Sequence, residues 1–197
     1  MHANTVNSDE VNKFSTLDWW DPNGPMRPLH ELNPARLQYI KNHCELQNTE
    51  VLDIGCGAGL ISEALAEQKA IVTAVDANAD VIQIAKDHAE LSNLKINYLC
   101  NSIEEFAAAT PKKFPVIICM ELLEHVDDPK QFLQILTTLL ADDGKLFLST
   151  VNRNLKSYVA SIIGAEYIFK LLPKGTHDYH KYITPAELAH LDRKSVV

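Results

Sequence analysis

Apolar and polar positions change period repeatedly along this 197-residue chain once residue 50 is passed. Short apolar runs at 51–54, 71–75, 96–100, 114–120 and 145–150 read as strands. Between them, 60–68, 79–91 and 129–140 place apolar residues three and four apart, as amphipathic helices do. Strand alternating with helix is the pattern of a parallel sheet with crossover helices, so the expected fold class is α/β, a doubly wound Rossmann-like sheet. Upstream, Asn33 before Pro34 predicts an N-cap followed by proline in the first turn, with a helix over 34–43. The expected organisation is a polar, disordered tail at 1–16, a helical arm at 17–45, a binding core at 46–150, a lid or membrane-facing segment at 151–185, and a short tail at 186–197.

The first strand and helix are joined by Val51-Leu52-Asp53-Ile54-Gly55-Cys56-Gly57-Ala58-Gly59. Glycine accepts positive φ and lets a ligand approach the backbone closely, which suits a strand-to-helix turn beside a nucleotide. The spacing differs from Gly-x-Gly-x-x-Gly, which cradles a pyrophosphate, because here an acid comes first. Asp53 would repel a pyrophosphate and suits a cationic amino-acid end. S-adenosylmethionine carries an ammonium and a sulfonium and is the cofactor expected, with capping of the turn by Asp53 as the alternative. A dinucleotide oxidoreductase fits less well.

Asp76 ends the second strand 17 residues after Gly59, where an acid can accept from both ribose hydroxyls or cap the next helix. Ser102 lies where adenine contacts are made in such sheets, but Ser102 with Glu105 also spells a helix capping box. In the arm, Arg36 offers a guanidinium fork for a carboxylate, with a surface ion pair as the alternative. Trp19 and Trp20 either anchor the arm or close over a planar substrate. The fourth strand ends in Cys119-Met120-Glu121-Leu122-Leu123-Glu124-His125, at the strand ends where α/β sheets bind ligands. Glu121, Glu124 and His125 read either as a divalent-metal site or general base, or as solvated and capping groups. Asp127 and Asp128 before Pro129 are helix N-terminal acids.

Composition narrows the class. An apolar share of 46% and a charged share of 22% are ordinary for a globular domain. A net charge of -8 argues against a nucleic-acid binder, which needs a basic face. Cys44, Cys56, Cys100 and Cys119 form no framework and read as free thiols, and no apolar run is long enough to span a bilayer, so an intracellular protein is expected. Residues 151–185 differ from the rest: five Lys or Arg against two acids flank an apolar stretch, suiting either an anionic membrane surface or a lid buried on its own domain.

These residues resemble the S-adenosylmethionine-dependent O-methyltransferases of ubiquinone biosynthesis. The resemblance rests on Trp19-Trp20-Asp21, Leu29-His30, Asn33-Pro34-x-Arg36, the glycine turn, Cys119 to Val126, Ser149-Thr150-Val151-Asn152-Arg153-Asn154, Gly164-Ala165-Glu166-Tyr167-Ile168 and Pro173-Lys174-Gly175-Thr176-His177-Asp178. It implies a class I methyltransferase sheet and methylation of hydroxyls on polyprenylated phenols or catechols of the 2-polyprenyl-6-hydroxyphenol and 3-demethylubiquinol type. It implies cofactor contacts at Arg36, Gly55, Asp76 and Met120, beside Asp53 and Gly57 of the turn, and Mg²⁺ at Glu121, Glu124 and His125, which would also be the catalytic set. Partners would be the polyprenylated substrate, an anionic membrane surface and a ubiquinone-biosynthesis enzyme complex, with no nucleic acid. The location would be cytoplasmic, peripheral on the inner face of the inner membrane. The family's sheet is expected to close with a final strand pair that the short tail here lacks. A methyltransferase of another small molecule and a cofactor-binding protein without activity are the alternatives.

Overall fold

The computed structural model describes residues 17–150, 152–153, 182–184 and 186–187. The expectations placed on the tail at 1–16, on almost all of the 151–185 segment and on most of the tail after it lie outside these residues.

Among the described residues up to Thr150, a helix α1 (Arg27–His43) precedes five strands and four helices: β1 (Glu50–Ile54), α2 (Leu60–Glu67), β2 (Ile71–Asp76), α3 (Ala79–Leu91), β3 (Asn97–Cys100), α4 (Ile103–Ala109), β4 (Phe114–Met120), α5 (Pro129–Leu139) and β5 (Leu140–Ser149). A single 3₁₀ turn, Leu123–His125, stands between β4 and α5. The strands form one sheet in the order β3-β2-β1-β4-β5, and every pairing is parallel.

Side chains alternate across a strand, so each central strand feeds two cores. Val51, Val116 and Ile118 face a core built with Ile40 of α1, Ile61 and Leu65 of α2, and Ile82 and Ala85 of α3. Leu52, Ile54, Ile117 and Cys119 face the opposite core, filled by Ile103 and Phe106 of α4 and Phe132, Leu133 and Leu136 of α5. Both faces are therefore covered, which explains why the central strands read as continuous apolar runs. Burial of each such side chain is worth about 1.5–3 kcal/mol, and it is this layering that holds the strand ends in fixed register.

Two local expectations are met and two are corrected. Ser102 and Glu105 form the reciprocal capping box that starts α4, and Asp128 caps α5 by accepting from the Gln131 N–H at 2.9 Å. Helix α1, in contrast, starts at Arg27 with Pro28 in its first turn and runs through Pro34. Proline fits the first turn at either place, and the upstream one wins. Asn33 is thus no cap; its Nδ2 donates to the Leu60 carbonyl at 2.8 Å and ties α1 to the start of α2. Strand β5 also begins earlier than expected, pairing Leu140 with Phe114, and its register shifts between Phe114 and Val116. Pro115 lies at that shift and has no N–H for the ladder.

Candidate active site

The sheet order reverses direction at β1, with β2 on one side and β4 on the other; in open α/β sheets the ligand crevice lies at this switch point, beyond the carboxyl ends of the strands. The glycine turn enters it directly from β1. Gly57 has φ +52°, and a Cβ there would lie 2.7 Å from the Trp19 ring. Gly55 has φ +70°, and a Cβ would lie 2.5 Å from Leu122 of the β4 loop. Both positions therefore require glycine for backbone conformation and for close packing.

Asp76 at the end of β2 fastens the turn. Its Oδ2 accepts from the Gly57 N–H at 2.9 Å, and its Oδ1 accepts from the Asn78 N–H at 2.9 Å. Burial raises its pKa, opposed by the backbone N–H groups of Asn78, Gly57 and Ala77. Each carboxylate oxygen retains a lone pair for a ligand hydroxyl.

Asp53 corrects the expectation that it faces a cationic ligand. Its side chain is buried, and its Oδ2 accepts from Ser62 Oγ of α2 at 2.5 Å. Desolvation pushes its pKa up to about 7, the Ser62 hydrogen bond lowers it and the charge of Asp76 raises it. Its position in β1, between Leu52 and Ile54 of the other face, turns it towards α2 instead of the crevice. Asp53 braces the turn from below.

The arm lies over the turn from above. Trp19 is buried with Met26, Ala58, Leu60 and Val81, and its carbonyl is 2.8 Å from His30 Nε2. Trp20 donates from Nε1 to the Ala58 carbonyl at 3.2 Å and stacks on His88 with centroids 3.4 Å apart and planes 3° apart. His88 Nδ1 is 2.8 Å from Glu63 Oε1. Of the two roles open to the tryptophans, anchoring is the one these contacts perform. Trp20→Ala removes an aromatic stack and an indole hydrogen bond, together about 2 kcal/mol. For a chain of this size the thermal midpoint should fall by about 4–8 °C. Calorimetry showing an unchanged midpoint would mean that the stack does not hold the arm.

On the other side of the crevice, Glu121 leaves β4 with φ +52°, a left-handed conformation rare for a residue with a Cβ. Its Oε1 accepts from Arg36 Nη2 at 2.6 Å and from Ser149 Oγ at 2.7 Å. The Arg36 and Glu121 side chains are 14% and 27% exposed, so the pair is mostly shielded from water. Glu124 is buried and accepts from Thr150 Oγ1 at 2.8 Å. His125, half-buried, closes the 3₁₀ turn through its N–H to the Leu122 carbonyl at 2.8 Å. Met120, the last residue of β4, pairs with Ser149 of β5.

Gly55, Gly57, Asp76, Met120 and Glu121 thus stand at the same end of the sheet, and Arg36 reaches it through Glu121. The expected magnesium set is not assembled: among the described residues no group of three His, Cys, Asp or Glu is arranged to hold a metal ion. The reason is local, since the Oε1 of Glu121 is engaged by Arg36 and Ser149, and Glu124 by Thr150. As placed, these donors form no ligand set for that ion. Ser149, Thr150, Glu63 and His88 were not predicted as site residues. Ser149 and Thr150 were open to detection, because they stand at the carboxyl end of the fifth strand, whereas Glu63 and His88 meet only through the packing of α2 on α3.

Comparison with known proteins bears on the family and the fold. A methyltransferase domain family matches residues 7–194. The ubiquinone biosynthesis O-methyltransferase of Coxiella burnetii (strain RSA 493 / Nine Mile phase I) is 52% identical over 190 residues, covering 95% of this chain and 81% of that protein. The protein of the same description from Actinobacillus pleuropneumoniae serotype 5b (strain L20) is 48% identical over 192 residues, covering 94% and 82%. Among solved structures, magnesium protoporphyrin IX methyltransferase from Synechocystis with bound SAH superposes with a TM-score of 0.71 at 19% identity, covering 95% of this chain and 82% of that one. The plantazolicin methyltransferase BpumL in complex with SAH gives 0.63 at 22%, covering 92% and 73%. These two likenesses carry the fold, which is that of class I methyltransferases. With half its residues shared along nearly its whole length, the chain belongs to the ubiquinone biosynthesis O-methyltransferase family.

Proposed function

We propose that this chain methylates hydroxyl groups of polyprenylated phenol and catechol intermediates of ubiquinone biosynthesis, with S-adenosylmethionine as methyl donor. The observation that carries the reading is the set of groups at the carboxyl ends of the strands beside the β1/β4 switch point. A glycine turn fastened to Asp76 stands on one side, and Glu121, Glu124 and His125 stand on the other. The groups present fit such a donor. Asp76 keeps acceptor capacity for two ribose hydroxyls, and Arg36 offers its fork to a carboxylate. Asn33 Oδ1, one helical turn before Arg36, is buried without a donor, as an acceptor for an ammonium group would be.

When bound, the donor supplies a methyl group on a sulfonium. The protein's part is to bring a phenolic oxygen in line with that methyl carbon and to take the phenolic proton. In-line positioning alone is worth roughly 7–11 kcal/mol. The phenol oxygen forms a bond to carbon as the carbon–sulfur bond breaks, the electron pair stays on sulfur, and the proton passes to a ring nitrogen of His125. A phenol with a pKa near ~10 reacts poorly while protonated, so a base contributes about a hundredfold or more. No step is assigned to magnesium, for which the donor set is not assembled.

Methyl transfer from labelled S-adenosylmethionine to a polyprenyl catechol tests the proposal. Transfer should occur, and His125→Ala should lower kcat by about a hundredfold while S-adenosylhomocysteine affinity stays at the wild-type level. No transfer to any polyprenyl phenol would overturn the substrate class. A rate that is lost on chelation, restored by Mg²⁺ and indifferent to His125→Ala would replace the base by a metal.

Peripheral contact with anionic membrane is part of the same proposal, because a polyprenyl tail resides in the bilayer. It is supported by the basic balance of residues 151–185. Among the described residues no helix is long and apolar enough to cross a membrane. The protein should float with anionic vesicles, and a Lys156→Glu, Lys170→Glu, Lys174→Glu triple variant should not; equal behaviour of the two would remove the membrane from the reading.

A further inference from the structure

We propose that Ser149 is a positioning residue that keeps Glu121 in place when Arg36 turns from Glu121 to the carboxylate of the methyl donor. The inference rests on the assignment of Arg36 to the donor made above. Arg36 Nη2 is already engaged, 2.6 Å from Glu121 Oε1 in a pair mostly shielded from water. A second carboxylate drawn to the same guanidinium lies beside Glu121 and competes with it. When Arg36 is taken, Glu121 would be left half-buried without its counter-charge, which is a large penalty unless another donor stays behind.

Ser149 is that donor. Its Oγ reaches the same Glu121 Oε1 at 2.7 Å, and its carbonyl accepts the Glu121 N–H at 3.0 Å. One residue at the end of β5 thus holds both the side chain and the left-handed backbone of Glu121. Thr150, next in the chain, holds Glu124 in the same manner. Because β5 is clamped to β4 through Met120 and Ser149, this support does not depend on whether Arg36 is engaged.

The two partners of Glu121 make opposite predictions for donor binding. Without Ser149, Glu121 depends on Arg36 alone, so the donor must displace a pair with no substitute. Without the charge of Glu121, Arg36 is released and binding tightens. Calorimetric titration with S-adenosylhomocysteine reads both directly. Ser149→Ala and the near-isosteric Ser149→Cys should bind about tenfold more weakly than wild type, Ser149→Thr should restore affinity, and Glu121→Gln should bind several-fold more tightly. In a Glu121→Gln background, Ser149→Ala should have almost no effect, since the shared partner has lost its charge.

Wild-type affinity in both Ser149→Ala and Ser149→Cys would overturn the proposal, and so would an equal loss in the Glu121→Gln background, which would place the action of Ser149 elsewhere. If Ser149→Ala does not fold, the Cys and Thr variants carry the comparison. Arg36→Ala is the separate control. If it binds S-adenosylhomocysteine like wild type, the assignment of Arg36 to the donor fails and this inference falls with it; if it loses affinity, the Ser149 results stand on their own.

Discussion

Asp76→Ala is expected to lower affinity for S-adenosylhomocysteine by roughly a thousandfold, the largest binding effect of any substitution in the crevice. On the proposed reading two ribose hydroxyls donate to this carboxylate, and hydrogen bonds to a charged acceptor contribute about 1.5–3 kcal/mol each, or three orders of magnitude together. The same oxygens hold the Gly57 and Asn78 N–H groups at 2.9 Å, so the substitution also frees the turn that the ligand would rest on. Asp76→Asn separates the two contributions. It keeps one acceptor oxygen but presents an NH₂ group to a backbone N–H or a hydroxyl, and should lose affinity by an intermediate amount. Titration of both variants, with circular dichroism to establish that each is folded, decides the matter. Wild-type affinity in a folded Asp76→Ala would sink the assignment of this strand end to the donor.

The part of this site that was legible in the sequence is the part set by local pattern. Five strands and three of the five helices follow from hydrophobic period, and Asp76 is found by its place at a strand end, because α/β sheets put ligands there. Glycine spacing marks the turn, since only a residue without Cβ tolerates the Trp19 and Leu122 contacts. What was not legible depends on packing between distant segments. Two prolines, Pro28 and Pro34, can each start α1, and local chemistry does not choose between them; the Asn33 bond to Leu60 belongs to the packed state.

Arg36 and Glu121 are 85 residues apart; one was read as a fork for a ligand carboxylate and the other as a metal ligand or base, and their pairing is a property of the assembled fold. The engagement of Glu121 and Glu124 by Ser149 and Thr150 has the same origin, and it is why three residues within one short motif do not form a ligand set here. Asp53 shows the reverse error. A strand-end acid beside glycines suggests a ligand contact, but alternation along β1 directs it to Ser62, and the strand period already contained that information.

That orientation of Asp53 has a consequence for stability. Its carboxyl is buried and its pKa is pushed up to about 7, chiefly by desolvation, against an ordinary value near ~4 in the unfolded chain. The folded protein therefore binds this proton more tightly than the unfolded chain does. The contribution is fully present below pH ~4 and is lost as pH rises through about 7, so unfolding free energy falls across that window. A shift of about three units corresponds to about 4 kcal/mol. Asp53→Asn removes the titration while its amide oxygen still accepts from Ser62 Oγ. Urea midpoints between pH 5 and 8 should decline in wild type and stay flatter in Asp53→Asn. Asp76, whose pKa is also raised by burial, contributes in the same direction in both proteins. The amide NH₂ group shifts the level of the variant's curve but not its slope, so the comparison holds even if the variant is less stable throughout. Parallel curves would mean that Asp53 is ionised in the fold, with water reaching β1 from the α2 side.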